Sequence, residues 1–475
     1  MNANSNIELN VVILAAGIGS RMKSNLPKVL QPLANKPLIL HLLNTLQGLK
    51  PAQCIIVYGH QGELVKQTIC QNNTNDFAIN WAFQEQQNGT AHATLQSIKY
   101  LQQSLATKPK NNFTLVLVGD TPLLQIDTLQ KLITTQMQKQ SKLTLLTAKV
   151  ANPFGYGRIV RNAENQQISA IIEEKDANET IKKIKEINTG ILLFDTNFLI
   201  QNLPKVNNNN AQKEYYLTDL IAMAVNKNLP IASNVLEENQ SWQTEGVNTK
   251  LQLANLERIY QKHQAEKLLE KGITLLNLNN VEIRLSQEII CGKDVIIDSG
   301  VILEGKIVLG NNVKIGANCV LKNMIIEDNV IIEPFCHLEN SIIKNNCSIG
   351  PFARLRPNSE LGENVHIGNF VEVKKSMLGK NSKAGHLSYL GDAIIGEDVN
   401  IGAGTITCNY DGKHKHQTII NNKAFIGSGT QLVAPVEIGE NAIIGAGTTL
   451  TKTAPENQIT VSRSPQKSIN KKIKK

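Results

Sequence analysis

Two rhythms of apolar residues divide this chain. From residue 1 to 247, short apolar runs alternate with amphipathic stretches: VVILAAG (11–17), IIVYGH (55–60), INWAF (79–83), FTLVLVGD (113–120) and LTLLTAKV (143–150). Such runs read as strands, and the interleaved PLILHLLNTLQGL (37–49) reads as a helix, so the pattern predicts βα units around a mostly parallel sheet. Ligands of such sheets sit at the carboxyl ends of the strands, where the loops follow. The Asn run at 207–210 reads as a surface loop. KLQLANLERIYQKHQAEKLLEK (250–271), closed by Gly272, predicts one long helix, and residues 248–271 read as a helical linker.

After Gly272 the period changes to six. Aliphatic residues fall at 297, 303, 309, 315 and 321, at 349, 355, 361, 367 and 373, and at 426, 432, 438, 444 and 450. The residue four places on is apolar or small, as at Val301, Ile307, Cys319, Ala353, Ser359 and Thr430. Glycine often follows the aliphatic residue (310, 316, 350, 362, 368, 427, 439, 445). A helix has no use for a period of six. Two inward positions per hexad with glycine at the turns predict a triangular parallel β-helix, each hexad one short face, so that stacked coils bring residues about eighteen apart together. Five-residue steps occur (Val373 to Leu378, Leu390 to Ile395), and the interval from Thr407 to Ile426 leaves room for the excursion NYDGKHKH. Insertions in solenoids tend to lie on the binding face.

A chain of 475 residues exceeds what one core serves, so the two rhythms are assigned to separate domains, 1–247 and 272–475. No apolar run approaches the ~18–20 residues of a membrane span. The opening MNANSNIELN has neither a basic nor an apolar signal region, which predicts a cytoplasmic protein. Seven cysteines without any Cys-x-x-Cys pair argue against a disulfide framework and a zinc site. The net charge of +9 is partly local, in Lys467 and the closing KKIKK, which reads as a solvated tail. With aromatics at 4% there is no stacking platform for nucleic acid, while the basic balance suits small anionic substrates.

The loop LAAGIGSRMKSNLPKVL (14–30) follows the first strand. It matches neither the Walker A nor the full dinucleotide fingerprint. Ala15, Ala16, Gly17 and Gly19 let backbone N–H groups approach phosphate oxygens, and Arg21 and Lys28 can place positive charge on a transferring phosphoryl group. Asp120 ends a fully apolar strand, where a carboxylate can serve as a turn residue or help to hold Mg²⁺. In the second domain the hexad puts His386 two places after inward Ala384, at a turn and outside the core. Arg356 and Lys374 stand one or two coils earlier, and Tyr389, Asn400, Asn409 and Tyr410 follow.

In order along the chain, LAAGxGxRM…LPKVL, QxxQxGTAHA (84–93), GDTPLL (119–124), GYGRIV (155–160), EEKDA (173–177), EINTGI (186–191) and GVNTKLQLA (246–254) precede the hexapeptide repeats. This series resembles the family of bifunctional UDP-N-acetylglucosamine pyrophosphorylase / glucosamine-1-phosphate N-acetyltransferases over nearly the whole chain. The resemblance implies a Rossmann-like α/β nucleotidyltransferase domain joined to a left-handed parallel β-helix. Leu14, Ala15, Ala16 and Gly17 would face the nucleotide, with Gln84, Gly89 and Thr90 reading the uracil. Arg21 and Lys28 would neutralise the UTP phosphates, Gly157, Glu173 and Asn188 would hold the N-acetylglucosamine moiety, and Asp120 with Asn248 would bind Mg²⁺. Two positions depart from the family pattern. Val118 replaces the usual Tyr, leaving the backbone of Val118 and Gly119 as the contact there, and Ile18 stands where many relatives have Lys.

For the second domain the resemblance implies acetyl transfer from acetyl-CoA, with His386 as general base and Glu372 or another acceptor orienting it. Histidine suits the task through its ordinary pKa of ~6.5. Arg356, Lys374, Tyr389 and Asn400 would bind glucosamine-1-phosphate. Ala403, Asn409, Tyr410, Ser428, Ala446 and Arg463 would line acetyl-CoA, with Ser428 a candidate oxyanion donor. A homotrimer is implied, with sites between neighbours. Two competing readings are a nucleotidyltransferase whose β-helix is only structural or regulatory, and a scaffold with a decayed nucleotide site. GHLSYLGD and NYDGKHKH argue against the first, and intact Arg21, Lys28, Asp120 and Asn248 against the second.

Overall fold

The computed structural model describes residues 7–17, 19–59, 61–72, 76–106, 111–285, 289–462 and 464–469. Ile18, Arg463 and the KKIKK tail lie outside them. The chain forms two compact units, residues 1–259 and 260–475.

The first unit is built on β1 (Ile7–Ala15), β2 (Gln53–Tyr58), β3 (Ala78–Phe83), β4 (Asn111–Val118), β5 (Leu143–Lys149), β6 (Arg158–Arg161), β7 (Ile168–Ile172), β8 (Glu186–Asp195) and β9 (Ile231–Leu236). Their order across the sheet is β9-β5-β8-β4-β1-β2-β3, with the β6–β7 pair attached at β8. β1 runs parallel to β2 and β4, β2 to β3, and β5 to β9, while β8 is antiparallel to both neighbours. The apolar runs are continuous because both faces of the sheet are covered. Val11, Ile13, Leu115 and Leu117 bury into one core, and Val12, Ile55, Val57 and Val116 into the other. β1, β3 and β4 therefore release their loops at one end of the sheet, and those loops carry residues 14–17, 84–90 and 118–120.

The long helix spans Lys250–Glu270, and the division between units falls inside it. Its first half is bonded to the first unit: Lys250 Nζ donates to Gln31 Oε1 at 2.5 Å, and Glu257 accepts Ala34 N at 2.8 Å. Its second half belongs to the coil, where Gln261 exchanges hydrogen bonds with the backbone of Ile283 and Leu268 enters the core.

The second unit is a stack of parallel strands. Among the described residues, eleven strands from Thr274–Leu275 to Ile459–Thr460 make one face, and a 17-stranded sheet makes the other two. Ile297 pairs with Ile315, Ile315 with Ile332, Ile332 with Ile349, and Ile349 with Ile367, so coils advance by 18 or 17 residues. The shorter coils are those with a five-residue face. Ile401 pairs with Ile426 across the one large excursion. Every position of the three aliphatic series is buried, as are Val301, Ile307, Cys319 and Thr430.

The glycines open the turns, yet the strained turn residue lies two places later. Residues 312, 329, 346, 364, 381 and 441 are asparagines with positive φ, a conformation that Asn tolerates well. Their side chains form a ladder from coil to coil: Asn312 to Asn329 at 2.9 Å, Asn329 to Asn346 at 3.1 Å, Asn364 to Asn381 at 2.9 Å. One corner differs. There the positive-φ residues are Phe335, Phe352, Phe370 and Leu387, then Gly404, Gly429 and Gly447. The three phenylalanines stack, 5.0 and 5.3 Å between ring centres.

Candidate active sites

The first site assembles at the carboxyl ends of β1 and β4. Gly119 N donates to Leu14 O at 2.9 Å, tying the two strand ends together. Gly19, at φ +66°, turns the loop so closely past Lys28 that a Cβ there would lie 2.8 Å from Lys28 Cβ. Lys28 Nζ reaches Asp120 Oδ2 at 2.5 Å and Asn248 Oδ1 at 3.3 Å. Arg21 donates to the same Asn248 oxygen at 3.1 Å. Asn248 is held beside Asp120 because Val247 N donates to Asp120 O at 3.2 Å. Four residues spread over the domain thus form one polar cluster, with Asp120 buried and Arg21 exposed.

The nucleobase residues named from the resemblance lie beyond β3. Gln84 is buried, with its amide against His92 Nδ1 at 2.9 Å, and its N–H donates to Tyr58 O at 2.8 Å. Thr90 Oγ1 accepts Leu217 N at 3.0 Å. Val118 is half-buried at the end of β4 and faces Gly190, 3.5 Å from where a Cβ of Gly190 would stand.

The sugar residues group around β6 and β8. Asn188 N donates to Gly157 O at 2.8 Å, and a Cβ on Gly157 would lie 3.0 Å from Glu173 Oε2, so glycine lets the carboxyl close in. Burial pushes the Glu173 carboxyl above its ordinary range. Thr218 pulls it back with a 3.3 Å hydrogen bond, and the charges of Asp176 and Asp219 push it further up. Arg158, which the motif reading did not single out, is almost wholly buried beneath this loop. It donates to Glu174 Oε2 at 2.7 Å, and the same oxygen accepts Gly155 N at 3.0 Å, which clamps the loop to the end of β7. Both partners were visible inside GYGRIV and EEKDA, but only burial distinguishes them.

In the coil, His386 ends the strand Lys383–His386 and is exposed. Its Nδ1 lies 2.8 Å from Asn369 Oδ1, one coil earlier in register. An amide oxygen only accepts, so Nδ1 donates here, and in the neutral ring the lone pair lies on Nε2. Glu372, named from the sequence as a possible orienting acceptor, is instead paired with Arg356 at 3.0 Å. A one-coil register step leading to Asn369 was available in the sequence, but the 17-residue coil was needed to find it.

Registers place the remaining residues. Ala384, Ile401, Ile426 and Ile444 are successive partners on one face, so His386, Ala403, Ser428 and Ala446, each two residues on, run along a single corner. His386 and Ser428 are two coils apart, roughly 10 Å at the usual strand spacing. On the next face Arg356 is level with Lys374 and Lys374 with Gly391, and the Tyr389 hydroxyl lies over Gly391. Asn400 is not among them: it pairs with Lys383 on the first face. Asn409 is buried and donates to Asp392 Oδ2 at 2.6 Å, and Tyr410 is exposed at the start of the excursion.

A nucleotide-transferring α/β domain and a hexapeptide coil together define a two-domain transferase, and comparison with known proteins agrees. The nucleotidyl transferase family matches residues 10–250, the bacterial transferase hexapeptide (six repeats) matches 417–452, and the GMPPB C-terminal domain matches 285–374. The protein named bifunctional protein GlmU in Nitrosospira multiformis is 49% identical over 98% of this chain and 97% of its own length. Its namesake in Ralstonia nicotianae is 50% identical over 97% of both chains, and that of Azoarcus sp. 48% identical over 97% of this chain and 98% of its own. The chain belongs to the bifunctional GlmU family. It is a bifunctional enzyme, a nucleotidyltransferase in its first domain and an acetyltransferase in its hexapeptide domain.

Proposed function

We propose that the coil domain acetylates glucosamine-1-phosphate from acetyl-CoA and that the α/β domain then transfers uridylyl from UTP to the product, giving UDP-N-acetylglucosamine and pyrophosphate. The observation that carries the first site is the convergence of Arg21 and Lys28 on Asn248, more than two hundred residues further along the chain, with Lys28 bonded to Asp120 as well. Arg21 and Lys28 neutralise the triphosphate while a sugar phosphate oxygen attacks the α-phosphorus in line and pyrophosphate leaves. Positioning and charge carry this step, without a covalent intermediate. Glu173, Asn188 and the backbone of Gly157 hold the sugar.

The chemistry of the donors suits Mg²⁺. Asp120 offers a carboxylate and Asn248 an amide oxygen, both directed at one ammonium group, and Mg²⁺ takes one or two such oxygens beside phosphates and waters. When bound, the ion supplies charge neutralisation at the phosphates.

In the coil, His386 Nε2 removes the proton from the sugar amine as its nitrogen attacks the thioester carbonyl, and the coenzyme A thiolate leaves. Ser428 stands along the same corner as a donor to the carbonyl oxygen. Arg356, Lys374 and Tyr389 bind the sugar phosphate. Asn400 belongs with them by resemblance but sits on the adjacent face, which supports a site completed by a second copy and hence the homotrimer. Among the described residues no helix is long and apolar enough to cross a membrane. The substrates are water-soluble anions, which fits a cytoplasmic enzyme without nucleic-acid partners.

The test assays both half-reactions in Asp120→Asn and His386→Ala. Each variant is expected to lose one activity and keep the other. Normal acetyl transfer in His386→Ala would remove the base, and absence of Mg²⁺-dependent pyrophosphate release by the unaltered protein would remove the first site.

A further inference from the structure

The segment from Asn210 to Thr218 is bonded to both halves of the proposed uridylyl-transfer site. On the nucleobase side, Tyr215 N donates to Asn88 O at 2.8 Å and Ala91 N to Tyr215 O at 2.9 Å. Gly89, at φ +108°, admits this contact, since a Cβ there would lie 2.5 Å from Tyr215 O. Two residues on, Leu217 N donates to Thr90 Oγ1 at 3.0 Å, and a hydroxyl that accepts one bond still has a proton to give. On the sugar side, Ala211 N donates to Asp176 Oδ1 at 3.3 Å, Lys175 Nζ to Gln212 Oε1 at 2.8 Å, and Thr218 Oγ1 to Glu173 Oε1 at 3.3 Å. Asn210 stiffens the segment by accepting the N–H groups of Gln212 and Glu214 at 3.1 and 3.2 Å.

Glu173 is hard to keep charged where it stands. Burial disfavours its ionised form, and the charges of Asp176 and Asp219 add to the effect. The buried Tyr216 faces the same carboxyl, and Arg158, bonded to Glu174, opposes the two aspartates. Among the described residues, Thr218 gives the one side-chain hydrogen bond that Glu173 receives. A donor to a carboxylate favours the charged form, which is the form that accepts from a sugar hydroxyl or amide N–H. Thr218 directly precedes the helix Asp219–Asn226, yet its hydroxyl caps none of that helix's N–H groups and is turned to Glu173 instead. Its neighbour Leu217 is the residue pinned to Thr90, so the nucleobase loop fixes where the hydroxyl stands.

We propose that Thr218 is a positioning residue of the uridylyl-transfer site: its hydroxyl presents the Glu173 carboxylate to the sugar, from a place set by the nucleobase loop through Leu217 and Thr90. The proposal rests on the reading of that site given above.

The experiment measures uridylyl transfer by Thr218→Val, Thr218→Ser and Glu173→Gln between about pH 5 and about pH 9, with N-acetylglucosamine-1-phosphate and UTP varied in turn. The unfolding temperature of each variant is the control for folding. Thr218→Val is expected to raise KM for the sugar phosphate about fivefold at pH 7, with kcat and KM for UTP little changed, since one hydrogen bond to a charged group is lost. Removing a donor to the carboxylate favours its protonated form, so the acid limb of kcat/KM for the sugar phosphate is expected to move to higher pH. Thr218→Ser, which keeps the hydroxyl, is expected to restore both. A raised sugar KM with an unmoved acid limb, or one that serine does not restore, would reduce Thr218 to a filler of space and overturn the proposal. A rise in KM for UTP instead would place its effect in the nucleobase loop and overturn it too. No change in Thr218→Val, with a raised sugar KM in Glu173→Gln, would overturn it while leaving the site reading intact. No change in either variant would overturn both.

Discussion

The two proposed sites present their cations to phosphate in opposite ways. In the α/β domain the cations arrive already bonded to protein oxygens: Lys28 to Asp120 and Asn248, Arg21 to Asn248. In the coil Arg356 and Lys374 lie in one column, and the groups assigned to one substrate are split between two faces. The first arrangement comes from loops converging at strand ends, which can bring residues 28, 120 and 248 to one point. A solenoid cannot do that. Its coils place residues only in columns, so a site needing a different angle must borrow from an excursion or from another copy.

If the first site is self-contained, removing Lys28 takes the ammonium from Asp120 and leaves the Asn248 oxygen with Arg21. Lys28→Ala is expected to lower kcat/KM for uridylyl transfer by about 10²–10³ while leaving acetyl transfer unchanged, measured by pyrophosphate and thiol release. A fall in both activities would erase the distinction between the sites. The second site is sharpened by Asn369→Ala, which frees His386 Nδ1. Acetyl transfer is expected to fall about tenfold in kcat, with an altered pH profile and an unchanged sugar KM. An unaltered profile would return Asn369 to a purely structural part.

A smaller effect concerns Glu173, a carboxyl of the proposed sugar site held above its ordinary range. Folding there disfavours the ionised form. Below the unfolded pKa both states are protonated and nothing is lost; as pH rises through the raised folded value the penalty grows to its full size. Glu173→Gln is therefore expected to raise the unfolding temperature of the α/β domain at pH 7 and to lose that gain near pH 4, at the cost of sugar affinity. A gain independent of pH would mean that charge is not the cause.

The inward positions of the coil were legible in the sequence because a period of six is enforced by packing alone, and the α/β strands because both faces are apolar. The corners were not. Glycine was read as the turn residue, whereas Asn ladders and one stacked Phe column occupy the positive-φ positions. Glycine before them serves closeness: a Cβ on Gly427 would lie 2.5 Å from Ala446 N of the next coil. The same limit applied to chemistry. Motifs named Lys28, Asp120 and Asn248, but Asn369 and Arg158 depend on coil length and burial, neither of which a motif records. The helix 250–270 was read as a separate linker, and its hydrogen bonds divide it between the two units.

The central claim is that one site is complete within a chain and the other is not. Subunit mixing tests it directly. Lys374→Ala and Asn400→Ala proteins, each weakened toward limiting glucosamine-1-phosphate, are dissociated, mixed and reassembled. The account predicts that the mixture regains acetyl transfer above either parent, because some sites draw Lys374 and Asn400 from unaltered copies, while a mixture of Lys28→Ala and Asn248→Ala regains no uridylyl transfer. Acetyl transfer in the first mixture no higher than the parents' average would contradict it.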